Sequence, residues 1–131
     1  MSDHPASGAR RALSGIRVLD LTSAVVGPYA AKIMADHGAD VIKVEAADGD
    51  VIRWIAGPSP TPGMSGKFMH LNRGKRSIVL DLKQPRGREA VMRLVARADV
   101  LLINMRPQAV ERLGLDYDSV ARTNPRLVYC A

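Results

Sequence analysis

The sequence contains few residues that bind metals or form covalent cross-links. Its 131 residues include one cysteine, Cys130, and three histidines at scattered positions. A single cysteine excludes an internal disulfide, and no Cys or His spacing matches a metal site. The sequence therefore predicts no metal, and a chain without disulfides suits the reducing cytoplasm, where we expect the protein to be.

Aromatic residues and long apolar runs are also scarce. Aromatics make up 4% of the chain and hydrophobic residues 47%, so an aliphatic core of one domain is expected. No run reaches the ~20 apolar residues of a transmembrane helix, which predicts no membrane partner. Residues 1–12 are small, polar and basic and lack the apolar segment of a signal peptide, so we predict a disordered tail there.

Positive charge is concentrated in one part of the chain. The net charge is +6, and residues 67–97 hold nine Lys or Arg against two acidic residues, a local net charge of +7. Such a block indicates a phosphorylated ligand, a nucleic acid or a solvated surface. Because Phe68 is the only aromatic in the block and no nucleic-acid-binding motif is present, we predict no nucleic-acid partner and keep a basic nucleic-acid binder only as a third hypothesis.

Strand-like and helix-like segments alternate along the chain. The patterns predict strands at 16–21, 40–45, 77–81, 99–104 and 126–131, helices at 28–38 and 85–98, and short helical turns at 107–113 and 116–123. The arginines of the predicted helix at 85–98 lie mostly off the apolar face of that helix and are expected to be solvated. Residues 46–67, rich in Gly and Pro, predict a long loop that is either functional or mobile. This order predicts an α/β fold, a Rossmann-like open parallel sheet with flanking helices.

Three loops follow the carboxyl ends of predicted strands, where ligands bind in such sheets. They are TSAVVGP at 22–28, the segment around Lys83, and NMRPQAVERLG at 104–114. The first loop lacks a dinucleotide fingerprint; its Gly27-Pro28 either receives a phosphate on backbone N–H groups or only separates strand from helix. In the third loop, Arg106 and Arg112 favour an anionic ligand, with plain loop solubility as the alternative.

No complete catalytic constellation stands out. Asp20 is penultimate in an apolar strand, so we expect it to be partly buried, either as an acid or base or as a hydrogen-bond partner of a neighbouring loop. No Ser-His-Asp order, carboxylate pair or Cys-His pair is evident. The residues alone therefore do not indicate which reaction, if any, the protein catalyses.

Three blocks of sequence extend the interpretation to a family. They are LSGIRVLDLTSAVVGPYAAKIMADHGADVIKVE, HLNRGKRSIVLDLKQPRGREAVMRLVARADVLLINMRP and AVERLGLDYDSVARTNPRLVYCA, in this order from Leu13 to the last residue. Together they resemble the N-terminal part of the class III CoA-transferases, which include formyl-CoA transferase, carnitine CoA-transferase and α-methylacyl-CoA racemase. The resemblance implies that residues 13–131 belong to a large Rossmann-like domain that binds coenzyme A, and that two full-length chains interlock as a homodimer.

The resemblance also implies a set of CoA contacts. By position, the loop after the first strand would line the adenine and pantetheine, and two residues around the end of the third strand would contact the nucleotide end. The cluster after the fourth strand would hold CoA, with two further basic residues as neighbours of its phosphates. These residues are Ala24, Val25 and Val26; Leu80 and Lys83; Asn104, Met105, Arg106 and Arg112; and Lys75 and Arg76.

Two departures from the family pattern matter. Many members carry an arginine where this sequence has Ala46, so a phosphate or adenine contact is either lost or supplied by Arg53 or Lys43. Family members are also much longer, and their catalytic groups match no residue of this sequence. The resemblance therefore implies that the parent enzyme moves CoA between an acyl-CoA and a carboxylic acid through an aspartyl-CoA intermediate, with the catalytic Asp beyond residue 131. The chain alone is expected to be inactive; a racemase-type member and a stand-alone CoA-binding fragment are the alternatives.

Overall fold

The computed structural model describes residues 11–55, 57 and 59–131. Most of the predicted disordered tail, residues 1–10, lies outside the described residues. Arg11 begins a turn in which its carbonyl accepts a hydrogen bond from the Ser14 N–H at 3.0 Å. In the described part of the chain, every helix is too short or too polar to cross a membrane.

Five parallel strands form one open sheet. In chain order they are β1 (Arg17–Leu21), β2 (Asp40–Glu45), β3 (Arg76–Val79), β4 (Val100–Ile103) and β5 (Val128–Cys130). Their order across the sheet is β3-β2-β1-β4-β5, and all four pairings are parallel. The predicted α/β class and the open parallel sheet are confirmed, and each predicted strand agrees to within two residues at either end.

Helices cover both faces of this sheet because successive strand residues point to opposite sides. The helices are α1 (Val26–Asp36), α2 (Ile52–Ile55), α3 (Gly66–Asn72), α4 (Pro85–Val95), α5 (Pro107–Leu113) and α6 (Tyr117–Thr123). On one face, Val18 and Val41 pack against Ala31 and Ala35 of α1. On the other face a larger core joins the strands to the helices that follow β3: Leu19, Leu21, Leu101, Ile103, Val91, Val95, Val110 and Val120.

The predicted loop at 46–67 is partly wrong, because it contains α2 and the start of α3. Ser65 caps α3: its hydroxyl accepts a hydrogen bond from the Phe68 N–H at 3.1 Å and donates one to the Ile52 carbonyl at 2.6 Å. Ile52, Phe68 and Leu71 then bury a small separate core. The segment is therefore folded by one serine and three apolar side chains, and α3 lies against α1 and α2.

The sheet order changes direction between β1 and β4. From β1 the chain proceeds to β2 and β3 on one side, and it then crosses to β4 and β5 on the other. The loops that leave the carboxyl ends of β1 and β4 therefore diverge and leave a crevice, which is where ligands bind in sheets of this kind. Residues 22–28 and 104–106 lie at this point.

A glycine allows α4 to pack directly on the turn that follows β3. A Cβ atom at Gly87 would lie 2.0 Å from the Asp81 carbonyl oxygen. Because the obstacle is backbone, no side-chain rotation relieves the contact. This close approach fixes the turn carrying Leu80 and Lys83.

We expect Gly87→Ala to lower the free energy of unfolding by about 1–3 kcal/mol, since the added methyl must displace the turn. Urea denaturation measures this change. Gly66→Ala is the matched control, because Gly66 lies in the first turn of α3, has no heavy atom within 4 Å of an added Cβ and lacks a positive φ. A loss for Gly87→Ala no larger than that for Gly66→Ala would contradict the packing.

Candidate functional site

A cleft of about 540 Å³ opens at the carboxyl edge of the sheet. Its walls come from the end of β2, the turn after β3, the loop after β4, and helices α4 and α5. We call it the carboxyl-edge cleft; the lining residues used below are Val44, Ala46, Leu80, Lys83, Arg88, Met105, Arg112 and Leu113. The structure thus brings together four of the predicted contacts, Leu80, Lys83, Met105 and Arg112.

The cleft combines apolar walls with three cations and two carboxylates, Glu45 and Asp81. Val44, Leu80, Met105 and Leu113 supply the apolar part, while Lys83, Arg88 and Arg112 supply positive charge. The arginines are oriented by backbone carbonyls: Arg88 donates to the Lys83 carbonyl at 3.2 Å and Arg112 to that of Gln108 at 3.1 Å. Within the described residues, none of the three cations forms an ion pair with a carboxylate. Their charge is therefore available to an anion.

The loop after β1 lies outside the cleft lining. Ala24 has φ +66°, and the side chains of Val25 and Val26 face solvent, with 48% and 81% of each residue exposed. A Cβ at Gly27 would lie 2.4 Å from that of Thr22, so the loop turns back tightly on itself. The three predicted contacts in this loop are accessible, next to the crevice at the end of β1.

Asn104 lies at the crevice, but its side-chain amide is hydrogen-bonded within the protein. Its Oδ1 accepts a hydrogen bond from the Ser23 N–H at 3.0 Å, and its Nδ2 donates to the Ser23 carbonyl at 2.9 Å. Arg106, the residue before α5, is exposed and does not line the cleft. The predicted cluster after β4 is thus divided, with Met105 in the cleft and Asn104 holding the neighbouring loop.

Lys75 does not lie where a phosphate contact would need it. Its side chain is 1% exposed, and its ammonium donates to the Asp20 carboxylate, the Pro28 carbonyl and the Asn72 side chain at 2.8–2.9 Å. All three protons are used inside the protein. The placement therefore does not support the predicted phosphate contact, and we leave Lys75 out of the proposed site.

Arg76 lies at the other edge of the sheet. It is the first residue of β3, and its guanidinium binds both carboxylate oxygens of Asp40, the first residue of β2, at 2.6–2.8 Å. The amino ends of parallel strands face away from the carboxyl-edge cleft. This position likewise does not support a phosphate contact, so Arg76 is also left out of the proposed site.

Buried ion pairs lie behind the carboxyl edge. Asp20 is 0% exposed and pairs with Lys75 at 2.8 Å, so its burial is more complete than the sequence predicted. Lys43 is 1% exposed; it lies 3.0 Å from Asp50 Oδ2 without the alignment of a hydrogen bond, and donates to the Thr22 carbonyl at 2.8 Å. The pairs together fix the ends of β1 and β2.

A third pair joins Glu45, the last residue of β2, to Arg53 of α2. Two hydrogen bonds of 2.8 Å connect the guanidinium to the carboxylate, and Arg53 also lies 3.6 Å over the Phe68 ring. Lys43 and Arg53 were the predicted substitutes for an arginine at Ala46. Both are paired with internal carboxylates, so their placement does not support this substitution, which stays a prediction.

The pairing changes the proton affinities of these groups. Burial alone would raise the pKa of Glu45, but hydrogen bonds from Arg53, Ser77 and the Asp50 N–H hold that pKa at about 2, below its ordinary 4.5. The same pairing raises the pKa of Arg53. Burial lowers the pKa of Lys75, and the nearby Asp20 carboxylate opposes this shift.

Two residues at this edge were missed by the sequence analysis. Arg88 was assigned to the solvated face of its helix, but it lines the cleft and donates a hydrogen bond to the Lys83 carbonyl. Asp50 was not a candidate, although the Gly49-Asp50 turn directly after a strand is a signal that could have indicated it. Among the described residues, no group of three His, Cys, Asp or Glu side chains could hold a metal, and the absence of a metal stays a prediction.

We expect Glu45 to couple stability to pH. Because its folded pKa is depressed, its contribution, about 3 kcal/mol, is present above the unfolded pKa near 4.5 and is lost as the pH falls toward 2. Urea denaturation of the wild type and Glu45→Gln between pH 7 and pH 3 should show a large difference at pH 7 that shrinks below pH 4.5.

Asp48→Asn provides the control for this experiment, since Asp48 is an exposed carboxylate on the same loop. Its curve should follow the wild type across the range. A constant difference between the wild type and Glu45→Gln at every pH would contradict the assignment of this pH dependence to Glu45.

Known proteins show the same fold and sequence pattern. A model of the family described as CoA-transferase family III matches residues 13–131. A CAIB/BAIF family protein from Brucella suis has a crystal structure similar to this chain, with a TM-score of 0.87 and 42% identity; the match covers 92% of this chain and 33% of that one.

Enzymes with established names are similar as well. A succinate–glutarate CoA-transferase of Agrobacterium fabrum is 44% identical over 139 residues, covering 100% of this chain and 34% of that protein. A formyl-CoA:oxalate CoA-transferase of Streptomyces coelicolor is 45% identical, covering 92% and 29%. The chain spans about a third of the length of the curated relatives it matches. The resemblance inferred from the sequence is confirmed, and the chain belongs to CoA-transferase family III.

Proposed function

We propose that this chain forms the part of a class III acyl-CoA transferase that binds the nucleotide end of coenzyme A in the carboxyl-edge cleft. The observation that carries the proposal is the set of three cations without carboxylate partners, Lys83, Arg88 and Arg112, around apolar walls in a member of this family. Coenzyme A matches this lining, since its phosphates carry several negative charges for the cations and its flat adenine can lie against the apolar walls.

The contacts differ in kind along the cleft. Guanidinium groups of Arg88 and Arg112 can each give two parallel hydrogen bonds to a phosphate, and Lys83 acts as a point charge. Leu80 and Met105 offer apolar surface to the adenine. The exposed Val25 and Val26 next to the crevice would then contact the pantetheine arm. Arg88 would also replace the cation that Ala46 lacks, since both residues line the same cleft.

In the proposed reaction an aspartate carboxylate attacks the thioester carbonyl of acyl-CoA and displaces the CoA thiolate, which leaves a mixed anhydride between the aspartate and the acyl group. The thiolate then attacks the aspartyl carbonyl, forming an aspartyl-CoA thioester and releasing the first acid as its carboxylate. An acceptor carboxylate reverses both steps, leaving with CoA and restoring the free aspartate. Transferase names among the relatives support transfer over racemisation.

We place the nucleophilic aspartate beyond residue 131, as the family resemblance implies, and the contacts of Asp20, Asp81 and Asp99 do not favour any of them for the role. Asp20 is 0% exposed and bound to Lys75. Asp99 lies at the amino edge, where it accepts a hydrogen bond from the Arg17 N–H at 2.8 Å. Asp81 bonds the Lys83 N–H at 2.9 Å within its own turn. The 131-residue chain would therefore bind CoA without turnover, and the whole protein would act in the cytoplasm as a homodimer on acyl-CoA and carboxylic acids.

Isothermal titration of CoA into the 131-residue chain tests the proposal. We expect the wild type to bind and the double variant Lys83→Ala, Arg112→Ala to bind at least about 30-fold more weakly, since each substitution removes a charge-assisted contact. Titration with 3′-dephospho-CoA in parallel shows whether the 3′-phosphate contributes to binding.

The matched control is Arg93→Ala, Arg126→Ala, which removes the same charge from exposed positions outside the cleft. It should bind CoA as the wild type does. A folded wild-type chain that binds neither ligand, or equal losses in both double variants, would overturn the proposed site.

A further inference from the structure

The loop after β1 holds a strained residue. Ala24 is the one non-glycine residue with a positive φ, +66°, among those the structure describes. A side chain in the left-handed region costs free energy, so it persists only where the surroundings impose it. The next residues, Val25 and Val26, are the exposed pair of this loop. The backbone at Ala24 therefore decides where those two side chains point.

Asp50 holds this backbone from the side of β2. Its Oδ1 accepts hydrogen bonds from the Ala24 N–H and the Ile52 N–H, each at 3.1 Å. The side chain is 1% exposed, and its second oxygen is neutralised by Lys43 at 3.0 Å. Lys43 in turn donates to the Thr22 carbonyl at 2.8 Å. A buried carboxylate and a buried ammonium thus bind the same loop on either side of Ser23.

Asn104 holds the loop from the side of β4. Its amide makes two hydrogen bonds, of 3.0 and 2.9 Å, to the N–H and carbonyl of Ser23, the residue before Ala24. Asp50 and Asn104 lie on the loops after β2 and β4, on opposite sides of β1, and both bond the peptide group between Ser23 and Ala24. The backbone at Ala24 is consequently restrained from both directions.

We propose that Asp50 and Asn104 are positioning residues that hold Ala24 in its left-handed conformation, so that Val25 and Val26 are presented to the apolar arm of the bound acyl-CoA. This inference rests on the proposed function for its ligand. It assigns Asn104 an indirect part in binding, because both polar atoms of its amide already bond to Ser23. It also assigns Asp50 an indirect part in binding, because its buried side chain cannot contact the ligand.

The variant Ala24→Gly distinguishes two roles for Asp50 and Asn104: positioning of the loop for binding, and stabilisation of the fold alone. Glycine adopts a positive φ without the penalty that a side chain incurs. If the two residues act by imposing this conformation, Ala24→Gly should restore ligand binding to a loop that has lost one restraint. If they only stabilise the fold, the glycine should have no such effect.

The test compares Asn104→Ala, Ala24→Gly and their combination in the 131-residue chain. We expect Asn104→Ala to weaken CoA binding about five- to tenfold, and the double variant to return to within about twofold of the wild type. Asn124→Ala is the matched control: its amide also donates two hydrogen bonds to backbone carbonyls, of Val95 and Ala98, away from this loop. It should lower thermal stability, leave CoA binding unchanged and gain no binding from Ala24→Gly.

A second measurement needs no ligand. NMR chemical shifts and amide exchange of residues 23 and 24 should report a left-handed, protected Ala24 in the wild type, loss of both in Asn104→Ala and in Asp50→Asn, and recovery of the conformation with Ala24→Gly. If Ala24 stays left-handed and protected in Asn104→Ala, or if the glycine fails to restore weakened binding, the inference is overturned. A wild type that shows the restrained loop but does not bind CoA would overturn the proposed function instead.

Discussion

Ion pairing in the interior is the constraint on which the carboxyl edge of the sheet depends. Asp20 with Lys75, Asp50 with Lys43, and Glu45 with Arg53 remove six charges from water and match each with its opposite at 2.8–3.0 Å. Removing one partner of such a pair leaves an uncompensated charge and is strongly destabilising. The partners lie on β1, on β2, on the segment from Asp50 to Arg53 and on the residue before β3, so none of these parts can move away without leaving a charge unpaired. The ends of β1 and β2 are therefore held together with the segment that follows β2.

This arrangement divides the basic residues of the chain into two groups. Lys43, Arg53 and Lys75 are internal and neutralised, and they position the loops after β1 and β2. Lys83 and Arg112, with Arg88 of α4, remain on the surface of the cleft with their charge available. A ligand with several phosphates would meet the second group, while the first group maintains the shape of the site. The basic residues of this edge thus have a structural part and, in the proposed function, a part in binding.

The strands and most helices could be predicted from the sequence because each has a clear local signal. DVIKVE, for example, predicts β2 at its observed bounds, since β-branched residues lie between Asp40 and Glu45. The helix α3 was missed because its apolar contribution is only Phe68 and Leu71, and its main support is the Ser65 cap, with contacts to α2.

The candidate site could be predicted only in part. The strand-end rule together with the family resemblance indicated Leu80, Lys83, Met105 and Arg112, which do meet in one cleft. A lysine in the sequence does not reveal which group it will bind. The sequence therefore did not distinguish a lysine available to a phosphate from Lys75, which pairs with Asp20, 55 residues away along the chain. Likewise, the positive φ of Ala24 depends on hydrogen bonds from two loops distant in sequence, so the residues around Ala24 do not reveal it.

The central claim is that a buried charge pair organises this edge, and a double-mutant cycle on Asp20 and Lys75 tests it most directly. Unfolding free energies of Asp20→Ala, Lys75→Ala and the double variant give the coupling between the two side chains. The account predicts a favourable coupling of at least about 2 kcal/mol, because the pair is desolvated and hydrogen-bonded. A coupling within about 0.5 kcal/mol of zero would mean that the two groups act independently, and would contradict the account.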